Sequence, residues 1–184
     1  MRTKRSPLLP LLLTLTALLS LPALAEAQKK GDSSATFNAK GPAGFKLEGK
    51  TSDLKLQDDG KVLRIIVPLA NMKTGIDLRD QHMREKYLEV QKYPDAVLEV
   101  PWSEVKLPGD GQSSNAKGKG KMTLHGKTKD VTFSYTVQRK GSDYQVTGNT
   151  PLNIKEFGID IPSYLGVTVK PDIETIVAFT ATKP

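Results

Sequence analysis

Residues 131–138 read VTFSYTVQ. Val131, Phe133, Tyr135 and Val137 alternate with Thr132, Ser134, Thr136 and Gln138. Successive side chains of an extended chain point to opposite faces, so this is a strand with one dry and one wet face. Turn residues flank it: residues 125–130 (HGKTKD) before and Gly141-Ser142 after. Beyond those turns the same period returns. Met122 and Leu124 open a strand on one side, and Tyr144, Val146 and Gly148 alternate with polar residues on the other. Short turns between alternating strands give antiparallel neighbours.

The pattern extends in both directions. Ala35, Phe37 and Ala39 alternate with Thr36 and Asn38, then residues 41–44 (GPAG) turn the chain into Phe45, Leu47 and Gly49. Leu54 and Leu56 lead to Asp58-Asp59-Gly60, a hairpin turn that supplies a positive backbone angle. Residues 62–69 (VLRIIVPL) are nearly all apolar, and residues 96–105 carry the single tryptophan, Trp102. Residues 173–182 form a last strand with Val177 and Phe179 on one face. Residues 28–34 read as a loose polar tail, residues 107–119 as a long flexible loop, and residues 156–171 as irregular chain. About eight strands make an all-β antiparallel domain, either a two-sheet sandwich or a closed barrel.

One stretch departs from this period: residues 74–100, TGIDLRDQHMREKYLEVQKYPDAVLEV. Asp77 or Asp80 caps a helix start, and Met83, Tyr87, Leu88 and Gln91 recur on one face. Tyr93-Pro94 ends it, because proline disfavours helical geometry in the residue before it. The spacing predicts one short helix around residues 78–91, inserted between strands.

Of 184 residues, the first 27 have the three-part pattern of a secretory leader. Arg2, Lys4 and Arg5 precede an apolar run from Pro7 to Leu21, and Ala23-Leu24-Ala25 and Ala25-Glu26-Ala27 are both small-x-small cleavage sites. Residues 28–184 then form one domain. The chain has no cysteine, which excludes disulfides, thiolate chemistry and a lipid-modified leader. The formal charge of +7 falls when the leader's basic residues leave. A mild cationic excess suits solubility and transient contact with an anionic membrane surface. With few aromatics and no basic-aromatic motif, nucleic acid is not an expected partner.

Catalytic candidates are few. There are two histidines, His82 in the helical stretch and His125 at a hairpin glycine. Neither has the spacing of a metal site, and no Gly-x-Ser-x-Gly elbow is present. His82 with Asp80 is the one candidate acid–base pair, and it requires Asp80 beside a ring nitrogen. The inward strand positions combine rings with small residues: Ala35, Ala39, Gly49, Gly120 and Gly148. They either fill a core or surround one small ligand, since a barrel of this size permits both.

The residues of the helical stretch resemble the signature of the YceI-like family, also called the polyisoprenoid-binding family. Its Arg-Asp-x-His-(Leu/Met)-Arg segment and Lys-Tyr-Pro match Arg79, Asp80, His82, Met83, Arg84, Lys92, Tyr93 and Pro94 in place. Residues 120–131 (GKMTLHGKTKDV) are similar to its Gly-x-Leu-Thr hairpin, and Phe37-x-Ala39 with Phe45-x-Leu47-x-Gly49 to its opening hairpin. The resemblance implies an eight-stranded antiparallel lipocalin-like barrel, export to the periplasm or beyond, and an apolar lumen holding an isoprenoid lipid or prenyl quinone as ligand, with no other cofactor. On this reading the lumen lining is Phe37, Phe45, Leu47, Trp102, Met122, Leu124, Phe133, Tyr135 and Phe179. Asp80, His82 and Arg84 either hold a polar head group or pin the helix, with the pin favoured. The alternatives are a filled-core envelope-stress or interaction protein, and an enzyme using His82 and Asp80.

Overall fold

The computed structural model describes residues 27–164 and 167–182. All of the expected leader except Ala27 lies outside the described residues, as does Leu165 of the irregular stretch. The strands are β1 (Gln28–Lys40), β2 (Lys46–Thr51), β3 (Lys55–Asp58), β4 (Val62–Pro68), β5 (Asp95–Pro101), β6 (Ser113–Leu124), β7 (Lys127–Lys140), β8 (Asp143–Asn153), β9 (Ser163–Tyr164), β10 (Val167–Thr168) and β11 (Asp172–Thr182). Nine of them make one antiparallel sheet in the order β2-β1-β11-β8-β7-β6-β5-β4-β3, and β9 and β10 pair as a separate two-stranded sheet.

The two end strands of that sheet, β2 and β3, are consecutive in the chain, joined by residues 52–54. The sheet therefore curls until its ends are one interrupted strand, which pairs with β1 through its first half and with β4 through its second. Counted this way, the nine strands give the expected eight-stranded barrel. Leu47, Gly49 and Thr51 face inward on β2, and Leu54, Leu56 and Asp58 continue inward after the interruption. The step of three residues at 51–54 re-phases the strand, as a bulge does.

Two contacts hold the junction. Lys50 and Lys73 exchange backbone hydrogen bonds of 2.8 and 2.9 Å, joining β2 to the segment after β4. At the other end of the barrel the buried Asp58 carboxylate accepts from Ala27 N at 2.9 Å, Gly60 N at 2.8 Å and Trp102 Nε1 at 2.8 Å. We call this the lower end; the helical segment covers the upper end.

Glycines decide how rings fit inside. Phe37 stands opposite Gly49 in the β1–β2 register, and a Cβ at Gly49 would lie 2.1 Å from the Phe37 ring. Phe133 stands opposite Gly118, with Gly120 two residues on. A Cβ at Gly118 would lie 2.7 Å from the Phe133 ring, and one at Gly120 would lie 2.4 Å from the Glu99 carbonyl oxygen.

Several local expectations change. Residues 28–34 belong to β1, paired with β11 through a register shift between Lys30 and Ser33. The loop expected over 107–119 ends sooner, because β6 begins at Ser113. The strand expected through Val105 stops at Pro101, after which Trp102–Glu104 is a 3-10 turn. The helical segment is an α-turn pair, Asp77–His82, continued by a π-helical turn, Met83–Tyr87. It ends where Glu89 takes a positive φ of 45°, four residues before Tyr93-Pro94. Neither Asp77 nor Asp80 caps it; Ile76 holds that position without a side-chain bond.

Gly120→Val places a branched side chain against backbone that has no room to yield. It should cost about 2 kcal/mol or more, seen as a lowered thermal midpoint, whereas Lys119→Val on the outward face should change it little.

Candidate functional site

The lumen is two unequal compartments. The upper chamber has a volume of about 660 Å³. Its walls are aliphatic, with Ala35 and Ala39 from β1, Val67 from β4 and Ala96 from β5. Its roof comes from the segment after β4: Leu69, Met72, Ile76, Leu78, Met83, Tyr87 and Leu88. Ile154, which opens the 3-10 turn Ile154–Phe157, and Ile159, just after it, close a third side. Small residues at Ala35, Ala39 and Ala96 leave the space that larger side chains fill lower down. Polar groups on the lining are sparse, among them Thr74, Arg79 and His82 near the roof and Thr150 and Thr175 on the strands.

Below, the barrel is almost full. Trp102, Phe133, Tyr135, Tyr144 and Phe179 leave a remnant of about 70 Å³. The expected lining is thus divided: Phe37, Phe45, Leu47, Met122 and Leu124 line the upper chamber, while Trp102, Phe133, Tyr135 and Phe179 line the remnant. The roof residues were not among the expected lining, although the three- and four-residue recurrence of Met83, Tyr87 and Leu88 marks their shared face.

The roof is pinned at its start by a polar knot. Asp80, only 3% exposed, accepts from Thr74 N at 2.7 Å and from the Thr74 hydroxyl. Arg79 donates through Nε to the Thr74 hydroxyl and through Nη2 to the Thr74 carbonyl, both at 2.7 Å. Burial pushes the Asp80 carboxyl up, but the two Thr74 bonds, with Arg84 and Arg79 close by, outweigh it and hold it below its ordinary value of 3.8. Asp80 and Arg79 thus tie the start of the roof to Thr74. No hydrogen bond joins Asp80 to His82, which is exposed and lines the chamber. Arg84 does not line the chamber and sits beside Asp80 as a charge.

A second clasp holds the roof's far end. His125, at a positive φ of 51°, has Nε2 2.7 Å from Glu89 Oε2 and Nδ1 3.3 Å from the Phe157 carbonyl oxygen. Its ring meets Tyr93 edge-on at 4.6 Å, and Tyr93 covers Gly126, where a Cβ would lie 2.5 Å from the ring. The β6–β7 hairpin thus binds both the roof and the 3-10 turn. Residues 125–126, read from sequence as a plain turn, are a structural joint.

Among the described residues the exposed large apolar side chains are Phe45, Ile76, Leu78 and Leu107. The first three line the chamber. Being both exposed and on the lining, they mark its mouth.

The YceI-like domain model matches residues 28–181. The chain belongs to the YceI-like family. Among its relatives is a UPF0312 protein of Pseudomonas putida strain F1, 36% identical over 102 residues, covering 52% of this chain and 50% of the relative. A UPF0312 protein of Yersinia pestis strain Pestoides F is 31% identical over 137 residues, covering 70% of this chain and 59% of the relative. The chain thus spans between half and three-fifths of the length of these relatives. Its fold is that of a polyisoprenoid-binding domain from Saccharophagus degradans implicated in plant cell wall breakdown, at a TM-score of 0.73 and 15% identity, over 88% of this chain and 99% of the other. BcnA of Burkholderia cenocepacia shares it at a TM-score of 0.65 and 20% identity, over 82% and 96%.

Asp80→Asn should loosen the roof by about 1–3 kcal/mol, the range for a buried bonded group whose partners lose their match. The pH dependence has a definite sign. A carboxyl held below its ordinary value stabilises the fold above that value, and the contribution is lost as pH falls through the lowered one. The acid limb of a stability–pH curve, below about 3.8, should therefore be shallower in Asp80→Asn than in the parent.

Proposed function

We propose that this protein is an exported carrier that holds one apolar isoprenoid-type lipid in its upper chamber. The observation that carries the reading is the chamber itself: about 660 Å³ of aliphatic-walled space opening to solvent. Interiors normally close to crystal-like density, so a space of this size in the range of ligand pockets has a use. Removing an apolar chain from water into it gains ~25 cal/mol per Å² before ordering costs. The shared fold with a polyisoprenoid-binding domain supports an isoprenoid lipid or prenyl quinone as the ligand class. The chamber disfavours a filled-core interaction module. Binding rather than catalysis fits the polar groups, because Asp80 is bonded to Thr74, and among the described residues no hydrogen bond joins it to His82.

The mouth suits lipid pick-up. Phe45, Ile76 and Leu78 are exposed there; Lys46 adjoins Phe45 and Arg79 adjoins Leu78 in sequence, while Asp77 stands between Ile76 and Leu78. Exposed apolar side chains beside cations fit the surface of an anionic bilayer. The leader fits a periplasmic or secreted destination. Ala27 is 5% exposed and its N–H is bonded to Asp58, so cleavage after Ala25 preserves the lower end and cleavage after Ala27 removes part of it.

Native mass spectrometry of exported protein purified without detergent should show a discrete added mass in the prenyl-lipid range. A clean unliganded mass that persists after incubation with prenyl quinone would sink the reading. The same spectra should give a chain starting at Glu26. In flotation assays the parent should bind phosphatidylglycerol vesicles more than phosphatidylcholine vesicles at low salt, and Ile76→Ser with Leu78→Ser should lower that binding several-fold without altering the fold's circular dichroism.

A further inference from the structure

The two compartments share one boundary. Ile65, Leu98, Thr150 and Val177 line both the chamber of about 660 Å³ and the remnant of about 70 Å³. They form a single layer across the barrel, one residue from each of β4, β5, β8 and β11. The rings beneath are fixed by more than contact. Trp102 donates to Asp58 at 2.8 Å, and Asp58 is itself held by Ala27 and Gly60. The Tyr135 hydroxyl donates to the Glu104 carbonyl at 3.1 Å and accepts from Lys106 N at 2.6 Å. Phe133 lies over Gly118 and Gly120, and its ring centroid is 5.8 Å from that of Tyr135. Moving this floor aside would leave buried polar groups unpaired, which is costly.

We infer that the Ile65–Leu98–Thr150–Val177 layer, backed by these rings, is a chain-length stop that limits the buried part of the ligand to about four isoprene units. The inference rests on the lipid-binding reading and adds a ceiling to it. At roughly 30 Å³ per non-hydrogen atom, the share of one such atom in liquid water, the chamber holds about 22 atoms, or about four five-carbon units. A shorter chain leaves wall unfilled. A longer one keeps its remainder outside the mouth, in water, once the protein leaves a membrane.

Prenyl alcohols of two to nine units, each at the same mole fraction in phosphatidylglycerol vesicles, test the ceiling. Protein is separated from the vesicles and its load read by native mass spectrometry. A unit moved from bilayer to chamber exchanges one apolar setting for another, whereas a unit moved from bilayer to water is strongly disfavoured. Loading should therefore change little up to about four units and fall by at least about tenfold per unit beyond. Val177→Ala combined with Phe179→Ala joins the remnant to the chamber and should move the break to longer chains by about one unit or more. Ala96→Leu fills chamber space, leaves the floor intact, and should move the break to shorter chains by about one unit, so the test survives if the double variant fails to fold. Loading that stays level to nine units, or a break unmoved by Ala96→Leu, overturns the stop while leaving lipid binding in place. No loading at any length overturns both.

Discussion

Closure is the constraint on which this molecule depends. A curled sheet has two raw edges, and each would offer unpaired N–H and C=O groups to any other strand. Here the edges are two halves of one strand, so the covalent chain itself crosses the seam at residues 52–54. That crossing works only if both halves keep their apolar residues inside. The three-residue step from Thr51 to Leu54 does this, and Lys50 and Asp58 hold the halves in place through backbone and side-chain hydrogen bonds. With the seam closed, every inward side chain shares one lumen, and its size at each height is set by which residues point in.

The lumen shows how residue volume becomes architecture. At the lower end large rings stand beside glycines, so the rings lie across the space and fill it. At the upper end alanines share the wall with Phe37, whose ring lies over Gly49, and the space between them stays open. The aliphatic walls there need a roof, supplied by a chain segment whose own polar groups are satisfied by Thr74, Asp80 and Arg79. Open chamber and stable core are thus built from the same strands at different heights.

Much of this was legible in the chain. The alternation of Val131 through Val137 marks the strand and its dry face, and the count of such runs gives about eight antiparallel strands in a sandwich or a barrel; the resemblance to the YceI-like family points to the barrel. Residues 113–119 escaped notice because the inward positions at the Phe133 end of β6 are Gly118 and Gly120, which leave no apolar period. Residues 28–34 escaped because they are polar on both faces and lie where β1 runs out beside the end of β11. The helical segment was read too long because the positive φ of Glu89, which stops it, has no glycine to signal it. The site was half legible. Phe37 and Phe133 are equally apolar in sequence, and only the summed volume at each height assigns one to the chamber and the other to its floor.

The roof is fastened at both ends, by Thr74 and Asp80 at its start and by Glu89 and His125 at its finish. A segment tied twice does not swing like a door. In the proposed carrier, cargo would slide lengthwise past Phe45 and Leu78, as a rod is drawn from a sleeve. Each unit withdrawn would be wetted before the next could follow, so residence time would be set by the cargo's own length, and a bilayer at the mouth would shorten it by giving the emerging end somewhere dry to go.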